Sequence, residues 1–332
     1  MSAISGLVKR FRWGAPARTN PQRLWENVVG AAEGCVGSSC FNPWIEPKFS
    51  LSKQEPIFAI GSCFASEIQR ILKERDHDFV TSPKTPYAKG MFDEQVEGVA
   101  TDAPANFLFR YNPGSMLLEI KNIFGITSAI QEGALLYDLG QFVRDCHYAP
   151  YMTATSLQAA LARRKYIKEE FSKINKCRTV VATLGLTETW IDQESDLVLN
   201  EKPPGDVLKS FPEGRFVPKL FTHTEIVETL RTMVAIFRSI VPDMRFILTV
   251  SPIPLAGTFS VASVAVATTR SKGTLISAAH EVALNDSLID YFPSYEMAML
   301  SNRADVWRAD GRHIQAAFVS RIVDHFARTY IT

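Results

Sequence analysis

A chain of 332 residues is long enough to bury a core without metals or disulfides as staples. Apolar residues make up 46% and charged residues 21%, and the formal net charge is only +1, which excludes a strong electrostatic draw on nucleic acid or anionic lipid. Five scattered cysteines (Cys35, Cys40, Cys63, Cys146, Cys177) form no disulfide framework, and no second Cys or His pair completes a zinc set around Cys35 and Cys40.

Lys9, Arg10, Arg12 and Arg18 are followed by no long apolar stretch, so no secretory signal is expected. No window reaches about 18 consecutive apolar residues, so no transmembrane helix is expected either. Reduced thiols and these absences point to a cytoplasmic protein. Residues 1–50 read as an arm carrying Trp13, Trp25 and Trp44. Pro43 and Pro47 keep the stretch from Phe41 to Leu51 extended, and the arm is expected to pack on or flank a body over 51–332.

The body opens with Pro56-Ile57-Phe58-Ala59-Ile60, a continuous apolar run that suits a strand buried on both faces. Gly61-Ser62 ends it, and Ala65, Ile68, Ile71 and Leu72 then mark a helical face. Residues 81–110 are rich in Pro, Gly and charge and read as an insertion or lid; 192–222 read the same way. Between them, Thr179 to Leu184 forms a second buried strand. Ile226 to Ile240 outlines a long amphipathic helix, Arg245 to Val250 a third strand, and Ile276 to Ala283 and Phe318 to Phe326 two more helices. Strands alternating with helices predict an α/β fold, a three-layer α/β/α sandwich on a mainly parallel sheet.

Ligands of such sheets bind beyond the carboxyl ends of the strands. Gly61-Ser62, Gly185-Leu186-Thr187-Glu188 and Ser251-Pro252 lie there. Ser62, between a strand and a helix start, is placed to present its hydroxyl to a site where helix amides stabilise an oxyanion. It also suits a plain N-cap. Asp310-Gly311-Arg312-His313 precedes the last helix. A serine needs a base, and a carboxylate fixes the tautomer of a histidine base; the same four residues also suit a turn with Asp310 capping the helix. Cys63 is a second candidate nucleophile, against a small buried filler. Glu188 reads as a substrate-binding acid or a capping group, and Trp190 as a sugar-stacking ring or a core residue. His147 reads as a site residue or a satisfied core histidine.

The order of these pieces resembles the GSCFA family, placed among the SGNH (GDSL-like) hydrolases. The pieces are Gly-Ser-Cys-Phe-Ala at 61–65, Tyr-Asn-Pro-Gly-Ser at 111–115, Thr-Leu-Gly-Leu-Thr-Glu-Thr-Trp at 183–190, Ser271-Lys272, Tyr291 to Glu296, and Asp310 to His313. The resemblance implies a flavodoxin-like fold and ester chemistry, often on carbohydrates. It implies Ser62 as nucleophile, with His313 as base and Asp310 as its orienting carboxylate. Thr187 stands where SGNH enzymes carry the oxyanion-hole Asn, so Thr187, Asn112 or the Gly114 amide is expected to supply that donor, with Gly185, Glu188 and Trp190 in the binding set.

The expected function is a serine esterase or an O-acyltransferase acting on a small molecule or glycan. No cofactor is expected, apart from an acyl donor such as an acyl-CoA if the enzyme is a transferase. No metal site and no nucleic-acid partner are expected. A glycan-binding or scaffold protein that has lost turnover is the alternative, and the Thr187 replacement favours it. Metal-free phosphodiester or sulfate-ester chemistry is a third reading, opposed by the lack of an Arg or Lys cluster beside the motifs.

Overall fold

Apolar runs bounded by small or turn-forming residues become the strands, as the patterning predicts. In the computed structural model, the described residues are 19–30, 32–75, 77, 109–126, 135–147 and 155–332. Strand β1 (Ile57–Gly61) leads into α1 (Cys63–Lys73). Next come α2 (Pro113–Ile123), β2 (Leu136–Asp138), β3 (Val143–Asp145), α3 (Leu157–Ser172) and β4 (Thr179–Leu184). A smaller unit holds β5 (Glu188–Asp192), β6 (Leu197–Val198), α4 (Gly205–Ser210) and β7 (Phe216–Leu220). After it come α5 (His223–Ile240), β8 (Arg245–Val250), α6 (Val264–Leu284), β9 (Ile289–Phe292), α7 (Ser294–Leu300), α8 (Arg303–Val306) and α9 (Ala316–Tyr330).

The central sheet has the order β1-β4-β8-β9, and each neighbouring pair is parallel. Alternate residues of each strand enter different cores. Phe58, Ile60, Val180, Ala182, Phe246 and Leu248 meet α2, α3, α5 and α6. Ile57, Val181, Ile247 and Phe292 meet α1, α7 and α9. The result is a three-layer α/β/α sandwich. Strand β9 escaped the sequence pattern because it has only four residues and includes Asp290.

The stretch 192–222, expected as an insertion or lid, carries regular elements of its own. It supplies strands to an antiparallel sheet of order β6-β5-β7, with α4 between β6 and β7. Residues 81–108 of the other expected insertion lie outside the described residues, as do Trp13 and the basic residues at positions 9–18. Trp25 of the arm is largely exposed and Trp44 partly so, and Cys40, Phe41 and Leu51 carry its burial instead. Lys48 Nζ donates to the carbonyls of Ala283 and Ile289. Leu51 bridges to Ile331, which draws the arm along the end of α9.

Beneath the smaller unit lies a buried ion network. Arg110 and Arg164 hold Glu119 at 2.5 and 3.0 Å, and Arg164 also pairs with Asp145. Burial alone would raise the Glu119 carboxyl, but Arg110 and Arg164 outweigh it and bring it down to about 2. His147 is fully buried beside this network, where burial and then the two arginines keep its ring neutral. It does not line the cavity described next and takes the buried alternative of its two readings. No helix of the described residues is long and apolar enough to cross a membrane.

Candidate functional site

Two glycines bring the chain into register at the carboxyl end of the sheet. Gly61, last in β1, has φ +149°, and a Cβ there would lie 2.5 Å from the Thr183 carbonyl oxygen on β4. A Cβ on Gly185 would lie 2.4 Å from the Tyr111 carbonyl oxygen. Only glycine permits such approaches. The segment before α2 is thereby stitched to both strands: the Arg110 amide donates to Gly61 and the Leu186 amide to Tyr111, each at 2.8 Å.

Ser62 follows in extended conformation (φ −81°, ψ −172°) at the N-cap position of α1. Its hydroxyl makes no capping hydrogen bond and has no partner among the described residues, although the residue is only 4% exposed. Leaving a buried hydroxyl unmet costs about 1–3 kcal/mol, so capping does not account for this serine. The Cys63 side chain, the alternative nucleophile, lies outside the described residues.

Asp310 and His313 form a closed unit. The Asp310 Oδ2 lies 2.6 Å from His313 Nδ1, and Oδ1 accepts the amides of Arg312 and His313 at 2.9 Å each. The bond to the His313 ring, then those amides, hold the Asp310 carboxyl well below the usual carboxylate range. Gly311 turns this loop at φ +66°, and a Trp307–Ile314 bridge closes it. Asp310 does not cap the last helix, because the N-cap of α9 is Gln315.

Ser62, Gly185 and Ser251, each directly following one of the adjacent strands β1, β4 and β8, line one cavity of about 670 Å³. Arg312 and His313 line it too. No hydrogen bond joins the Ser62 hydroxyl to His313. Three further charged residues of the lining were not picked out from sequence: Glu201, Lys202 and Arg312. Burial pushes the Glu201 carboxyl up to about 8, against a smaller lowering by Arg312. The Arg312 Nε is buried without a partner. Arg312 sits inside the Asp310–His313 motif and was legible there; Glu201 and Lys202 belong to no motif.

The remaining expected site residues divide. Gly185 and Glu188 line the cavity; Asn112, Gly114, Thr187 and Trp190 are not among its lining residues. Asn112 caps α2 by accepting the Ser115 amide, and its own Nδ2 is committed to Thr189, Leu199 and Asn200. The side-chain donor expected of it is therefore already in use. Gly114 fits between Phe221 and Val198. Thr187 is buried with an unpartnered hydroxyl, and its amide donates to Ser271 at 2.9 Å. Lys272, fully buried, donates to the Gly185 carbonyl at 2.7 Å. Ser271 and Lys272 thus fix the Gly185–Thr187 turn from α6. Glu188 is an anchor: it accepts the Thr258 hydroxyl at 2.8 Å, the Phe259 amide at 2.9 Å and Arg270 at 3.1 Å. Trp190 packs edge-on to Phe259 and beneath Lys202.

Among the described residues no group of His, Cys, Asp and Glu is arranged to hold a metal ion. A search of curated proteins gives no match. The model of the GSCFA family matches residues 56–326, a span that runs from the start of β1 through both Ser62 and His313 into α9. By that match, over most of its length, the chain belongs to the GSCFA family.

Proposed function

We propose that this protein is a serine-nucleophile acyl-ester enzyme, an esterase or an O-acyltransferase, with a glycan or glycan precursor as its substrate. The supporting observation is the buried, unpartnered Ser62 hydroxyl, which shares a cavity with a histidine already oriented by a carboxylate. The resemblance to SGNH hydrolases points the same way.

In this mechanism the Ser62 hydroxyl attacks an ester carbonyl while Nε2 of His313 takes its proton. Asp310 keeps the Nδ1 proton in place and stabilises the imidazolium. The missing Ser62–His313 hydrogen bond has to form on substrate binding, as catalytic bonds of this kind often tighten then. Backbone amides at the N-terminus of α1 meet the developing oxyanion. His313 then returns its proton to the leaving group, an alcohol from an oxygen ester or a thiol from a thioester donor. Water resolves the acyl-enzyme in an esterase, and a sugar hydroxyl does so in a transferase, whose donor would be an activated acyl group such as an acyl-CoA.

Covalent labelling with a fluorophosphonate, followed by intact mass, tests the reading. Wild type should gain one adduct, and Ser62→Ala and His313→Ala should gain none. Folded wild type that stays unlabelled would favour the second reading, a glycan-binding protein without turnover, which draws on the open Ser62–His313 gap and on Thr187 in place of the oxyanion-hole Asn.

A further inference from the structure

The cavity lining contains one segment of uniform character. Residues 251–259 follow β8 and carry no charged side chain. They supply Ile253, Pro254, Leu255 and Phe259 to the lining. These are mostly aliphatic surfaces, whereas a sugar is usually met by aromatic faces and hydrogen-bonding side chains.

The segment is also fixed in place. The Ser251 amide donates to the Leu184 carbonyl at 2.8 Å, and Thr258 and the Phe259 amide bind the buried Glu188 carboxylate. The Phe259 ring rests against Trp190 at 5.2 Å. A surface held this way does not have to be ordered by its ligand, which lowers the cost of binding. The cavity of about 670 Å³ falls in the range that encloses a whole small ligand and far exceeds what an acetyl group needs.

We propose that residues 251–259 form an acyl-chain site, so that the acyl group handled at Ser62 is a medium-length aliphatic chain and not acetate. This rests on the reading of Ser62 as nucleophile, but binding can be measured without it. Acetate, butanoate, hexanoate and octanoate are titrated by calorimetry into the full-length Ser62→Ala protein. Each methylene buried is worth roughly a fourfold gain in affinity, so octanoate should bind at least about tenfold tighter than butanoate even with partial burial. Ile253→Asp, or Ala256→Asp at an exposed position of the same segment if the first does not fold, should bring that ratio close to one. Equal affinity for butanoate and octanoate, no detectable octanoate binding, or a ratio unchanged in the Asp variant would each overturn the proposal. Because Ser62 is absent from the titrated protein, chain-dependent binding with no labelling of wild type would overturn only the nucleophile, and labelling without chain dependence only the acyl-chain site.

Discussion

Glu201 and Asp310 are both carboxylates beside the cavity, yet their surroundings drive them apart. Asp310 is solvated and hydrogen-bonded, so it stays ionised. Glu201 is desolvated, and its carboxyl rises from 4.5 to about 8. Between about pH 4.5 and pH 8 the folded chain therefore keeps a proton that the unfolded chain has lost. The Glu201 contribution to stability is complete below that window and fades as pH climbs through it. Urea midpoints taken near both ends should show wild type losing stability at the upper end relative to Glu201→Gln; parallel profiles would mean that Glu201 is ionised throughout. For Asp310→Asn, the proposed mechanism predicts a fall of about 10³- to 10⁴-fold in the labelling rate through loss of the histidine tautomer. Thermal midpoints should barely move, since both side chains are about half exposed.

At the scale of the elements, the exit from β1 is the most constrained point. Gly61→Ala must either leave φ +149° or push into Thr183, so a loss of about 2–4 kcal/mol is expected in urea denaturation. Glu188→Ala strips the Phe259 amide and the Thr258 hydroxyl of their acceptor and should cost about 2–3 kcal/mol. The long elements were legible because their apolar patterns are strong: β1, β4, β8 and the buried faces of α1, α5 and α9 follow the sequence closely. The smaller antiparallel sheet was not, because its strands are short and β7 contains Pro218. That proline is tolerated because β7 is an edge strand. Asn112-Pro113 was read as chemistry although Asn before Pro is also a helix-start signature, and that is the role it takes. Glu201 gave no signal, since its carboxyl is set by burial that arises only when distant segments meet. Ser62 and the Asp310–His313 unit were legible as residues. That Ser62 and His313 line one cavity was a matter of tertiary structure.

Across the whole molecule, the arm and the C-terminus close on each other. Leu51 and Tyr330 are both fully buried; the Leu51 amide donates to the Tyr330 carbonyl at 2.7 Å, and the Tyr330 hydroxyl donates to Asp290 at 3.1 Å. Tyr330→Ala should therefore cost about 3–5 kcal/mol, read from denaturant midpoints, although Tyr330 ends its helix and does not line the cavity. That helix matters in another way. Ser62 sits at the head of α1, and His313 shortly precedes the head of α9. The two helices pack together, with Phe64, Ile68, Phe318 and Ile322 in one shared core, and Arg75, just past α1, pairs with Asp324 of α9 at 2.5 Å. Ser62 and His313, the proposed nucleophile and base, are thus mounted on the jaws of a caliper, and the gap between them is set by how the helices seat against each other. Substitutions in that seam, well away from any substrate, would tune reactivity by changing the width of the opening.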